Sequence, residues 1–216
     1  MRRIVFCDFD GTITAVETFV AMFKAFAPEI SSQLLPQMYA RQLTLRQGVR
    51  QILESIPSSR YLDILEFTRS QPVRPGFVAL LDFLDAAEVP LVVVSGGLQG
   101  MVEVVLGELV QRVHAIHAIA VDTSREYLQI HSPYEDGTEM VAKVNVINQY
   151  GTVDAIAIGD SLTDLNMALH VPLVFARDRL AEYLDQHQTA YIRWTDFFDV
   201  RDRLAELWNR DAIASE

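Results

Sequence analysis

The 216-residue chain holds a single cysteine, Cys7, so an intrachain disulfide is impossible and a cysteine-based zinc site cannot be built. It also lacks a basic stripe. Its 18 Lys and Arg residues are scattered among 29 Asp and Glu, giving a net charge of −11, and no nucleic-acid partner is expected. Long apolar runs are missing too: Ile4-Val5-Phe6-Cys7 meets Asp8 at once, which is too short for a signal or membrane segment. A reducing cytoplasm, no membrane contact, and a monomer or homodimer are the expectations. Excess acid does not exclude an anionic substrate, provided a cation and a few donors reverse the field inside the pocket.

What is present is an ordinary globular composition, 50% hydrophobic and 22% charged, long enough for one α/β domain with a sizeable insertion. Ile4 to Cys7 reads as a buried strand that ends in Asp8 and Asp10. From Thr18 to about Arg69 the apolar spacing is helical, with stripes at Phe19, Met22, Phe23, Phe26 and at Val49, Ile52, Leu53, Ile56, punctuated by Pro28, Pro36 and Pro57. Residues 72–76 then read as a re-entry linker. Beyond it, strands are expected at 91–94 and 154–158 and at 173–175. Helices are expected near 77–84, 101–109, 141–149, 165–170 and 197–210. Two segments, 116–121 and 127–130, suggest a hairpin or sheet edge. Strands alternating with helices imply a Rossmann-like three-layer α/β parallel-sheet core. Its expected extent is residues 1–14 and 73–216, with a helical cap inserted over 15–72.

Three clusters can carry chemistry. Asp8-Phe9-Asp10-Gly11-Thr12 puts two carboxylates two residues apart beyond a buried strand, followed by a glycine that permits a tight turn. One acid can attack phosphorus while the other protonates the leaving oxygen and later deprotonates water. An aspartate nucleophile is expected to be ionised near neutrality without an activating base. Asp160 and Asp164, after the strand 155–158, can join Asp8 around a hard divalent cation, for which oxygen ligands suit Mg²⁺. Ser95-Gly96-Gly97, between a strand and a helix, can bind phosphate oxygens through its hydroxyl and backbone N–H groups. Each piece also has a plainer reading: a solvated turn, a helix cap at Asp160, an ordinary Gly-Gly turn.

Taken in order, the three clusters resemble the haloacid dehalogenase superfamily of phosphatases. The family also carries a lysine between the second and third motifs, and Lys143 is the only lysine from 98 to 159. The resemblance implies that Asp8 is the nucleophile and Asp10 the acid/base. It implies that Ser95 and Lys143 hold the phosphoryl group, and that Asp8, Asp160, Asp164 and the Asp10 carbonyl hold Mg²⁺. The roughly sixty-residue insert resembles the cap of the phosphoserine-phosphatase-like branch, which implies a small phosphorylated metabolite as substrate and suggests Glu17 and Arg50 as contacts. Glu17 and Arg50 also read as a first-turn helix acid and a solvated face residue.

Further strings, FAP at 26–28, IPSS at 56–59, RPGF at 74–77 and FARDRL at 175–180, are similar to the methionine-salvage subgroup, whose ester carries a methylthio tail. Phe19, Met22 or Phe23 would then support that tail, unless they form the core of the insert. Phosphoserine hydrolysis is the alternative activity, followed by phosphomutase or a non-catalytic phosphate-binding protein. His114, His117 and His131 read as structural or solvent-facing, since no cysteine joins them. Cys7 should face away from Asp8 and be buried and inert.

Overall fold

A computed structural model describes residues 2–214. The chain begins with strand β1 (Arg3–Cys7), continues through helices α1 (Phe19–Phe26), α2 (Pro28–Tyr39), α3 (Leu45–Leu53) and α4 (Tyr61–Arg69), and returns to α5 (Phe77–Ala86) and β2 (Leu91–Leu98). It continues with α6 (Gln99–Leu106), β3 (Ala115–Asp122), β4 (Gln129–His131), α7 (Lys143–Asn148), β5 (Asp154–Gly159) and α8 (Leu165–His170). It closes with β6 (Leu173–Ala176), α9 (Asp178–Gln186), β7 (Ile192–Arg193) and α10 (Phe197–Ala214).

The strands form one sheet in the order β4-β3-β2-β1-β5-β6-β7, parallel except for the β3–β4 hairpin at one edge. β1 is central: its neighbours are β2 on one side and β5 on the other, so the chain order reverses across it. Such a switch point opens a crevice at the carboxyl ends of the strands, where open α/β sheets bind ligands. The register aligns those ends, since Cys7 pairs with both Val93 and Ile158.

Strand alternation divides β1 between two cores. Ile4 and Phe6 join a cluster with Val92, Val94, Ala155 and Ala157, which continues into Met22, Phe23, Ile52 and Leu53 of α1 and α3. Val5 and Cys7 face the other side, with Phe77, Leu80 and Leu84 of α5 and Phe197 and Leu204 of α10. All of Ile4 to Cys7 is fully buried, and each large side chain there contributes about 1.5–3 kcal/mol by leaving water. The three layers are therefore fixed by which residues of each strand are apolar on which face.

Helices α1–α4 lie between two linkers that pair with each other. Thr14 bridges Val73 in antiparallel sense, the Ala15 N–H donates to Pro72 O at 2.9 Å, and the Arg74 N–H donates to Ile13 O at 2.8 Å. Gly76 takes φ of +82°, and a Cβ there would stand 2.5 Å from the Phe198 nitrogen. The re-entry linker thus packs on the start of α10 in a way only glycine allows.

Four local differences from the sequence reading have physical causes. Pro36 lies inside α2 rather than ending it, because the carbonyl it leaves unbonded, that of Ser32, belongs to an exposed residue and can meet water. β2 runs on through Ser95, Gly96 and Gly97 to Leu98, so this motif is the end of a strand and not a loop after one. Helix α7 starts only at Lys143, with Met140 to Ala142 buried as irregular chain before it. The sequence reading also omits α9, although its Leu180, Ala181 and Leu184 keep helical spacing, and β7, whose two residues are too few to show alternation.

Candidate active site

Asp8 follows the last residue of β1, and its N–H donates to Ile158 O at 2.9 Å, so the ladder with β5 extends up to the carboxylate. Cys7 faces the α5–α10 side, and alternation turns Asp8 toward the side where α7 lies. There Lys143, the first residue of α7, contacts Asp8 Oδ1 through Nζ and donates to Asp164 Oδ1 at 2.5 Å. Asp164 Oδ2 in turn accepts the N–H groups of Asp160 and Ser161, both at 3.0 Å. The Asp164 carboxylate therefore shapes its own loop with one oxygen and orients Lys143 with the other.

Asp8, Asp160, Asp164 and Lys143 are each no more than 4% exposed. Carboxylate oxygens of the three acids lie within 4.8 Å of one another. Fully ionised, the cluster would carry three negative charges against one positive in a nearly dry place. That imbalance shows in the titration of the groups. Burial, then the Asp164 charge, pushes Asp8 well above the usual carboxylate range, with Lys143 pulling it back. Burial and Asp164 raise Asp160 to about 7, opposed by the hydrogen bond from Thr12. Burial works against the Lys143 ammonium, but Asp164 and Asp8 outweigh it and hold the amine above its ordinary range. Burial thus makes ionisation of Asp8 depend on positive charge beside it, which a cation supplies and a base would not.

The turn after Asp8 is built to bring two loops together. Gly11 has φ of +82°, and a Cβ on it would sit 2.6 Å from Asp160 Oδ2. Thr12 Oγ1 donates to Asp160 Oδ1 at 2.6 Å. The Thr14 N–H closes the turn onto Phe9 O at 3.0 Å, and the Gly11 N–H donates to Thr14 Oγ1 at 2.9 Å. The Asp10 carboxylate is aimed by the start of α1: Oδ1 accepts the Thr18 N–H at 2.6 Å and Oδ2 the Phe19 N–H at 3.0 Å. Burial raises its pKa while those two amides lower it, and nearby Glu17 raises it further. A carboxyl so placed can hold a proton and can also give one up, as an acid/base group must.

Ser95 is buried at the end of β2, and its Oγ accepts the Gly97 N–H at 3.0 Å. Gly96 beside it is exposed with open space around it, and the Phe19 ring borders Gly97. The geometry thus brings Asp8, Lys143, Asp160 and Asp164 into direct contact or near contact, ties Gly11 to Asp160, and sets Ser95 on the neighbouring strand. Glu17 is exposed at the rim near Asp10. Arg50 is not brought to the acids. Its guanidinium is taken by Glu54 Oε1 at 2.9 Å, Ile130 O at 3.0 Å and Glu135 Oε2 at 2.6 Å. Met22 and Phe23 are buried within the insert, and Phe19 and Phe26 of the same stripe are half-buried.

Sequence reasoning passed over Thr12 and Arg74. Thr12 stands in the first motif but has an unremarkable side chain by type; Arg74 was read only as part of a linker. The one available signal was an arginine between two prolines in a stretch otherwise expected to be solvated. Of the three histidines, His117 Nε2 meets the Tyr150 hydroxyl at 2.9 Å, and burial holds its pKa below the usual value. Cys7 is buried and its thiol is pushed well up by burial and then by Asp8, as an inert cysteine should be.

A switch-point crevice lined by buried acids, a lysine and a strand-end serine defines an α/β hydrolase of the haloacid dehalogenase type. The sequence model of the haloacid dehalogenase-like hydrolases matches residues 5–169, and the chain belongs to that family. It is 54% identical over 206 residues to a 2-hydroxy-3-keto-5-methylthiopentenyl-1-phosphate phosphatase of Microcystis aeruginosa, covering 94% of this chain and 98% of that protein. A protein of the same name from Bacillus mycoides is 31% identical, with 94% of each chain covered. In fold it is similar to the phosphoserine phosphatase from T. onnurineus, with a TM-score of 0.70, 16% identity and 94% of each chain covered.

Proposed function

We propose that this chain is a Mg²⁺-dependent phosphatase that hydrolyses 2-hydroxy-3-keto-5-methylthiopentenyl-1-phosphate through a phosphoryl group held on Asp8. The observation that carries the reading is the buried cluster of three acids and one lysine at the end of the central strand. Its donors are all oxygens, its charge is short of balance by two, and a hard dication fits both facts. Asp8, Asp160 and Asp164 would hold the ion, with the Asp10 carbonyl beside them. When bound, Mg²⁺ supplies positive charge that lets Asp8 ionise and that offsets the charge of the phosphate oxygens.

The residues of the chain then divide the work. Asp8 attacks phosphorus with a carboxylate oxygen as the bond from phosphorus to the ester oxygen breaks. Asp10 gives its proton to the departing alkoxide. In the second half, Asp10 takes a proton from water, the water oxygen attacks the same phosphorus, and the Asp8–phosphorus bond breaks to release inorganic phosphate. Lys143 and the Ser95 hydroxyl, with the Gly96 N–H, hold the equatorial oxygens while the Gly97 N–H fixes Ser95 Oγ, so that catalysis is mainly positioning and charge compensation.

Residues 15–72 serve in this reading as a cap over residues 1–14 and 73–216. The paired linkers at residues 13–15 and 72–74 support that division, and Phe19 beside Gly97 supports a cap that reaches the phosphate site. Arg50 pairs with Glu54 and Glu135 away from the acid cluster, which gives no support to the substrate contact expected of it. Among the described residues no helix is long and apolar enough to cross a membrane, and the one cysteine is buried, which suits a cytoplasmic enzyme acting on a small metabolite. Purified protein with Mg²⁺ tests the reading: the methylthio ester should be hydrolysed with free phosphate released, well ahead of phosphoserine. A large preference for phosphoserine would reverse the substrate, and an isomeric phosphate ester as product would make the enzyme a mutase.

A further inference from the structure

Arg74 opens the RPGF string and lies outside the three chemical clusters, yet its side chain reaches the turn between the two catalytic aspartates and the insert. It is 9% exposed. Its Nε donates to Thr12 O at 2.8 Å, and one terminal nitrogen donates to Gly11 O at 2.5 Å and to Thr14 O at 3.2 Å. Its own N–H donates to Ile13 O at 2.8 Å. Four successive carbonyls, from residue 11 to residue 14, thus end on one arginine. The other face of the guanidinium lies over the ring of buried Trp194, 5.5 Å from its centroid.

Carbonyls buried in a tight turn must be paired, and the Gly11 and Thr14 N–H groups are already given to Thr14 Oγ1 and Phe9 O. A planar fork whose donors sit on separate nitrogens fits that arrangement, whereas an ammonium gathers its three donors on one atom and cannot reproduce the spacing. The turn is held at its other end by the α1 amides on the Asp10 carboxylate. Asp10 is therefore fixed from two sides: its carboxylate by Thr18 and Phe19, its following peptide units by Arg74.

We infer that Arg74 is a positioning residue for the Asp10 acid/base, acting from the return linker of the insert by clamping the carbonyls of Gly11, Thr12 and Thr14. The inference rests on the reading of Asp10 as the proton donor. Its consequence is a selective defect: loosening the clamp harms proton delivery more than it harms attack by Asp8, which is fixed separately by β1 and Lys143.

The test compares Arg74→Lys and Asp10→Asn with the unaltered enzyme, each holding Mg²⁺. kcat/KM is measured for an alkyl phosphate, whose alkoxide must be protonated to leave, and for p-nitrophenyl phosphate, whose phenolate leaves without a proton. Arg74→Lys keeps the charge and is checked by its melting curve; Arg74→Gln serves if the lysine variant does not fold. The expected result is a loss of about a hundredfold on the alkyl ester and under about fivefold on the aryl ester, the range of a misplaced general acid. Equal losses on both esters, or no loss on either, would overturn the inference. Asp10→Asn separates the two levels: if it shows the split and the Arg74 variants do not, only the clamp fails, and if Asp10→Asn shows no split, the role of Asp10 fails and the clamp with it.

Discussion

Thr12 and Asp160 meet through one short hydrogen bond, Oγ1 to Oδ1 at 2.6 Å, which joins the loop after β1 to the loop after β5. The bond is buried and fixes the direction of a carboxylate assigned to the metal. Partners that orient a metal ligand are worth about 10–100-fold in metal affinity when removed. Thr12→Val keeps the shape and deletes the donor. The half-saturating Mg²⁺ concentration should rise by about tenfold or more, while activity at saturating Mg²⁺ recovers most of its value, as read from a magnesium titration of the rate.

Gly11 faces the same carboxylate from closer still. Ala at this position meets two costs at once: a Cβ 2.6 Å from Asp160 Oδ2 and a positive φ that L residues rarely adopt. Gly11→Ala is expected to lower stability by about 1–3 kcal/mol, on the scale of a strained backbone site, and to cut activity by more than Thr12→Val does. Denaturant melts and rates on the same preparation check both.

The position of Asp160 in the titration order makes Mg²⁺ binding depend on pH. With its pKa raised to about 7 in the absence of metal, this acid holds a proton over much of the mildly acidic range. Metal takes only the ionised form, so protons on Asp160 compete with it below about 7, and protons on Asp8, also raised by burial, add to that competition. Apparent Mg²⁺ affinity should climb from pH 6 to pH 8. Calorimetry at pH 6.5 in two buffers of different ionisation enthalpy should show net proton release on binding, and a pH-independent affinity would contradict the assignment.

Lys143 sits between Asp8 and Asp164 with all three side chains nearly dry. Taking the lysine away leaves two buried acids without their cation, a change that costs about 3–5 kcal/mol in comparable buried pairs. Lys143→Met should therefore melt well below the unaltered protein in chelator. Added Mg²⁺ should narrow the gap without restoring the rate, which is expected to fall by about 10²–10³, as for loss of one transition-state donor.

Much of this was legible before any coordinates, and the reason is chemical. Apolar runs that end in acids, at Cys7–Asp8 and at Gly159–Asp160, announce strands that deliver carboxylates to one edge, because a buried β-run cannot continue through a charge. The sequence could not show that β2 extends through Ser95 to Leu98, since Gly96 and Gly97 are poor strand formers and the ladder with β3 is interrupted after Val94, resuming only where Leu98 pairs with Ile119. Arg50 illustrates a second limit. Its partner Glu135 is 85 residues away, so the ion pair that occupies it exists only in three dimensions. Arg74 is a third: its partners are carbonyls, which every residue has, so no residue type marks them.

The proposed hydrolysis depends on covalent chemistry at residue 8. Enzyme quenched in acid during turnover with Mg²⁺ and the methylthio ester, then digested and weighed, should yield a peptide spanning Asp8 that carries one phosphoryl group, absent from Asp8→Asn, which should also release no phosphate. A peptide without phosphate at every time point, together with undiminished hydrolysis by Asp8→Asn, would contradict it.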